Sequence, residues 1–304
     1  MHRWISCALI VLGCLMLPVL AQDGDTKKGD KAEKAPAPPP GKRVFYASHS
    51  LMWYVPDALG ELAAAAGIKD HKLAGLQKIG ASRTLQHWNL PDAENQAKKA
   101  LKTGAVDVLV MSPIQFPDAG IENFVKLGLQ HNPNMRFVVQ LSWGGGDTDN
   151  QDFPKGAWDI VDKNKTPDQL KKLFLRSIQA GEAQADALNR KYGGGNRMLS
   201  LVPTAQALVA LRTRIFNKQI PGLNSQGELF VDAAHPSPPL EALNTYLHYA
   251  VLYGQSPVGL PMPDALKNAK REEWDEKFNR SLQEIAWETV ISYPYSGVVV
   301  AKKK

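Results

Sequence analysis

Cysteine is almost missing from this chain: Cys7 and Cys14 are the only two, both within the first 14 of its 304 residues. Everything after them is free of thiols, which excludes a disulfide framework, a cysteine nucleophile and a cysteine metal site there. The His-x-His and His-Glu-x-x-His spacings of zinc sites are absent too. An excess of one charge is also lacking in the body of the chain. The net charge is +6, but Arg3, the Lys/Arg-rich stretch 22–43 and Lys302–Lys304 carry all of it, so 44–301 is neutral. No basic face is left to meet phosphates, so nucleic acid is not an expected partner. Internal repeats are absent as well.

Long apolar runs are scarce. The one at the start, "WISCALIVLGCLMLPVL", follows Arg3 and ends before Ala21. A short positive segment, an apolar run and small residues before a polar stretch are the pattern of a secretory signal peptide, here 1–21, cleaved near Ala21. Two alternatives are a lipoprotein signal at Cys14, against which the run continues to Leu20, and a retained anchor, for which the run is short of the ~20 residues a span needs. The expectation is export to a bacterial periplasm or beyond, with no stable transmembrane anchor. Residues 22–42, "QDGDTKKGDKAEKAPAPPPGK", are charged and Pro/Ala-rich without apolar period. They read as a disordered linker, because they bury too little to offset ordering.

From residue 43 short apolar runs alternate with helical patterns. Strands are expected at 44–47, 72–80, 106–112, 136–143 and 197–203. Helices are expected at 57–67, 94–104, 120–131, 166–191, 204–217, 238–254 and 264–290. Such alternation predicts an α/β domain with a parallel sheet covered on both faces. Sites in such sheets lie along the rim formed by the carboxyl ends of the strands. The division expected is a domain over 43–263 and a C-terminal helical extension with a basic tail over 264–304.

Ser50, in "ASHSL", follows the first strand directly. Serine there is either a nucleophile or an N-cap of the next helix, and the local residues do not choose. Far downstream, "FVDAAHPSPPLEAL" sets Asp232 and His235 three apart in a polar loop before a helix. A serine hydroxyl needs a base, and the base works best when a carboxylate fixes its tautomer, so these two supply what Ser50 lacks. As bland alternatives, Asp232 caps a turn and His235 is a solvated surface residue.

"SHSL" after the first strand and "DAAHPS" before a late helix, followed by "LYGQSPVGLP", resemble the GDSL-type (SGNH) hydrolases, most closely exported bacterial members with a Gly-His-Ser-like first block. The similarity runs over roughly 43–262. It implies a flavodoxin-like three-layer α/β/α sandwich and hydrolysis of carboxylic esters without a cofactor. In that family Ser50 matches the nucleophile, His235 the base and Asp232 the residue that orients it. The oxyanion hole would combine the Ser50 and Gly80 backbone N–H groups with a side-chain amide. The family's Gly-x-Asn-Asp block is absent after "VDVLVMS"; Gln115, in "PIQFPD", is the nearest amide and stands either there or in solvent. Ser48 and His49 also replace the usual glycine and aspartate of the first block.

His49, Trp53, His87, Trp88 and Trp143 gather near the expected rim, where they line a pocket or belong to the packing. Open aromatic faces there would favour an acyl group on a carbohydrate as substrate. The Asp-rich loop 144–152 lacks the internal glycine and terminal glutamate of a calcium loop and is expected to be a flexible loop by the site, with no metal. The rival to an esterase is a secreted ligand- or glycan-binding protein on the same scaffold.

Overall fold

The computed structural model describes residues 37–147 and 164–300. The expected signal peptide 1–21, most of the linker, Asp149 and Asp152 of the Asp-rich loop, and the terminal lysines lie outside them. Strands buried on both faces must be apolar at nearly every position, because water reaches neither side. That holds for β1 (Arg43–Ser48), β3 (Val108–Met111), β4 (Arg136–Gln140) and β5 (Leu199–Val202), whose residues are buried apart from two opening arginines. β2 (Lys72–Lys78) is mostly exposed and takes the edge. All five pair in parallel, in the order β2-β1-β3-β4-β5. This is the flavodoxin-like order, with its reversal beside β1. The register shifts between Val44 and Phe45, leaving Ala74 unpaired, and Gly75 then pairs with Phe45, where a Cβ would come within 2.4 Å of the Phe45 ring.

The helices in chain order are α1 (Val55–Ala65), α2 (Thr84–Trp88), α3 (Gln96–Lys102), α4 (Ala119–His131), α5 (Pro167–Leu170), α6 (Leu175–Tyr192), α7 (Thr204–Phe216), α8 (Pro238–Tyr253), α9 (Asp264–Asn268) and α10 (Glu276–Ser292). Alternate strand residues face opposite ways, which divides the core in two. Val44, Tyr46, Val110, Val138 and Val202 meet α1, α7, α8 and α10 on one face. Phe45, Ala47, Leu109, Val139 and Leu201 meet α3, α4 and α6 on the other. α10 therefore sends Phe278, Leu282, Ile285 and Val290 into the same core as the sheet, rather than into a core of its own.

Two expected long helices are each broken. Between α5 and α6, Phe174 sits at φ +63 with its ring 2% exposed, so burial of the ring holds a strained backbone. Between α9 and α10, buried Trp274 donates its indole N–H to Gly222 (2.9 Å), and Asp275 restarts the helix by accepting from Phe278 N (2.8 Å). α2 carries no helical pattern of its own length. The buried Asp118 carboxylate creates it by accepting from Thr84 N and Leu85 N while capping α4 through Gly120 N. Gly120 is required there, since a Cβ would lie 2.2 Å from Leu85 N.

Candidate active site

The turn after β1 carries Ser50. His49, 1% exposed, occupies the N-cap of a short 3-10 turn (Ser50–Met52), its Nδ1 accepting from Leu51 N at 3.3 Å. The histidine is thus the cap, and the serine hydroxyl points elsewhere. Ser50 Oγ lies 2.9 Å from His235 Nε2, and His235 Nδ1 lies 2.6 Å from Asp232 Oδ2. A carboxylate can only accept, so Nδ1 carries the proton and the Nε2 lone pair faces the serine hydroxyl, which donates. Asp232 Oδ1 accepts from the backbone N–H of Ala234 (2.8 Å) and His235 (2.7 Å), folding the loop so that its own histidine is in reach. Desolvation pulls the Asp232 carboxyl up, but those two N–H groups and the His235 ring outweigh it and hold it below the usual aspartate range. Ser50 and His235 are half-buried and Asp232 is exposed, so the line of three opens to solvent.

Each member is tied to the scaffold. Asn244 of α8, fully buried, donates to Leu51 O (3.4 Å), the Tyr54 hydroxyl (2.8 Å) and Gln140 Oε1 (3.0 Å), and accepts from Thr204 Oγ1 (3.1 Å). Gln140 donates in turn to Ser142 Oγ (2.8 Å), which lies 3.4 Å from His49 Nε2. The turn bearing Ser50 is thereby joined to the ends of β4 and β5 and to α8. The Asp232–His235 loop is clamped by the segment after β4. Trp143 Nε1 donates to Ala234 O (2.8 Å) and Gly146 N to Ala233 O (3.0 Å). That segment is itself fixed by Asp147, which takes both ends of the buried Arg212 guanidinium at 2.7 and 2.8 Å. Sequence reading missed Gln140, Ser142, Arg212 and Asn244, and placed Asp147 only in a flexible Asp-rich loop, where instead it anchors the segment through Arg212. The available signal was polar residues in "VVQLSW", where an apolar strand should have continued.

Gly80 follows β2. Because Ser48 pairs with Lys78, Ser50 and Gly80 each lie two residues past the same register position on the carboxyl rim. Neither backbone N–H has a hydrogen-bond partner among the described residues. The Gly80 loop is held from below. Gln77 Nε2 lies 3.1 Å from His87 Nδ1, His87 Nε2 lies 2.9 Å from Ser82 Oγ, and Ser82 Oγ donates to Ile79 O (2.9 Å). Gln115 is partly buried in the loop after β3, and Ile114 N joins that loop to Ser82 O at 3.1 Å.

The aromatic and histidine residues expected along a pocket are placed differently. His49 and His87 are each 1% exposed and Trp143 is 0% exposed, leaving no open face for a substrate ring. Desolvation drives the His49 imidazole down to about 3 and the His87 imidazole down to about 4, so both are neutral framework groups. Trp53 and Trp88 stay half-buried. Trp53 donates to Ser48 O (2.9 Å), and Trp88 packs edge-on to Phe124. Among the described residues no group of three or more His, Cys, Asp or Glu could hold a metal ion, and no helix is long and apolar enough to cross a membrane.

No family model and no curated protein matches this chain. Among solved structures it is similar to a protein of Slackia heliotrinireducens described as "a putative SGNH hydrolase". The two share 18% identity over 69% of this chain and 97% of the other, with a TM-score of 0.40.

Proposed function

We propose that the chain is a serine hydrolase that cleaves carboxylic esters through an acyl-enzyme, with Ser50 as nucleophile, His235 as general base and Asp232 as the group that orients it. The observation that supports this is the continuous pair of short contacts, 2.9 Å from Ser50 Oγ to His235 Nε2 and 2.6 Å from His235 Nδ1 to Asp232. Attack forms a bond from Ser50 Oγ to the ester carbonyl carbon while the hydroxyl proton passes to His235 Nε2. That proton goes to the departing alcohol, and the bond from carbon to the alcohol oxygen breaks. Water, deprotonated by the same nitrogen, then releases the acid and regenerates Ser50. The backbone N–H groups of Ser50 and Gly80 are proposed to bind the oxyanion, with Gln115 as the side-chain donor in place of the family's asparagine. None of these steps needs a cofactor. An acyl group on a carbohydrate is one ester substrate this reading allows, with the half-buried Trp53 three residues from the serine. Export fits residues 1–21, read as a signal peptide.

A fluorophosphonate probe tests the assignment on the intact protein. A single adduct at Ser50, absent in Ser50→Ala, is expected. No adduct at all would instead favour a ligand-binding protein, for which the lost asparagine block is the sequence evidence.

A further inference from the structure

On the rim opposite Ser50, at the amino ends of β3 and β4, lies a cleft of about 280 Å³. Arg136, the first residue of β4, projects to the same face as Val138, and Val138 pairs with Ser200 of β5. The cleft is therefore lined by Arg136 and Ser200 from adjacent strands, together with Lys42, the end of α8 and Gly297. Gly297 packs closely here: a Cβ there would come within 2.7 Å of Ser200 Oγ and 3.0 Å of Arg197 Cδ.

Among the described residues Arg136 has no ion-pair partner in this corner. Arg43, Arg212, Arg214, Arg271 and Arg280 each hold a carboxylate. Arg136 and Arg197 hold none among the described residues, and Arg197 Nη1 is buried without a hydrogen-bond partner. Asp107 is paired with Arg43, and Arg197 lies over the ring of Tyr295, whose hydroxyl donates to Asp186. Burial, and then the charge of Arg197, pull the Arg136 guanidinium below the ordinary arginine range. The carboxyl end of α8 brings roughly half a negative charge, which offsets only part of three cations.

We propose that this cleft binds a small oxyanion on a short apolar body, a phosphate monoester or a carboxylate, with Arg136 and Ser200 as the recognising groups. A guanidinium meets two oxygens of such a group in one plane, and the serine hydroxyl and Lys42 supply donors from other directions. Val138, Val251 and Val298 line the remainder and suit an apolar body. The volume lies at the small end of ligand sites, which run from roughly 300 Å³ upward, so the ligand is small. The site is separate from Ser50 and does not depend on the reaction proposed for it.

Calorimetric titration of the whole protein at fixed ionic strength tests this with phenyl phosphate, benzoate and neutral benzyl alcohol. Saturable binding of at least one anion, and none of benzyl alcohol, is expected; the anion that binds identifies phosphate or carboxylate as the natural head group. Arg136→Gln should weaken that binding tenfold or more without lowering the ligand-free melting temperature, because a repelled surface charge is removed. Ser50→Ala should bind as the native protein does. Failure of both anions to bind, unchanged binding by Arg136→Gln, or equal binding of benzyl alcohol would each overturn the proposal.

Discussion

At the scale of single residues, positions 49 and 50 divide the two roles that stood as alternatives for Ser50. His49 caps the turn through its ring nitrogen, which leaves the Ser50 hydroxyl directed at His235. Asp232 also has two tasks, taken by separate oxygens: Oδ1 folds the loop and Oδ2 meets the imidazole. Asp232→Asn separates them. The amide oxygen can still accept from Ala234 and His235 N–H, but its NH₂ then faces His235 Nδ1 and favours the tautomer with the proton on Nε2. If Ser50 is the nucleophile, kcat should fall by roughly 10³–10⁴ while stability changes little, the size expected from a wrong tautomer. Steady-state kinetics on a short-chain ester, beside urea unfolding of the same variant, provide the check.

At the scale of elements, the segment after β4 holds the loop that holds the histidine. Its anchor is the ion pair of Arg212 and Asp147, with side chains 0% and 2% exposed. Lys165 adds a second cation 3.5 Å from Asp147. Asp147 has φ +60, a conformation asparagine also tolerates, so Asp147→Asn removes the charge without straining the backbone. Breaking a buried ion pair by removing one partner's charge should then cost about 3–5 kcal/mol, read by urea denaturation. Trp143→Phe removes the indole N–H that reaches Ala234 together with part of a fully buried ring, and should cost roughly 2–4 kcal/mol. Its expected signature is a lower kcat with nearly unchanged KM, since the clamp acts on the His235 loop. Loss of stability with kcat intact would refute that role.

At the scale of the whole molecule, three buried histidines among the described residues are held neutral. Desolvation drives His49 down to about 3, and His87 and His248 each down to about 4. An unfolded histidine titrates near 6.5, so below that pH the unfolded chain binds protons that the folded chain refuses. The stability these groups contribute is complete above about 6.5. It is lost as pH falls toward 4 for His87 and His248, and toward 3 for His49. Each group costs ~1.4 kcal/mol per pH unit inside its window. Asp118 and Glu241, whose carboxyls burial pushes up, oppose this slope but are fewer. Urea unfolding at pH 7, 6 and 5 should show a steady decline, less steep in His87→Gln. A flat profile over that range would contradict it.

What the residues determine alone is the layered sheet and its helices, because burial on two faces writes nearly continuous apolar strands and burial on one face writes helical stripes. Chain order is legible for the same reason, and with it the placing of Ser50 at a strand end and of Asp232 three residues before His235. Short-range patterns do not show where a long helix breaks. The break at Phe174 comes from a ring drawn into the core, and the one before Asp275 from Trp274 anchored on distant Gly222. Nor do they show that α2 exists, since its N–H groups are met by Asp118, more than thirty residues away. Likewise, exposure of Trp143, His49 and His87 is a property of what surrounds them: a tryptophan reads alike whether its N–H meets water or Ala234. The approach of Ser50 to His235, 185 residues apart, is decided only when the sheet and α8 bring both loops to one rim.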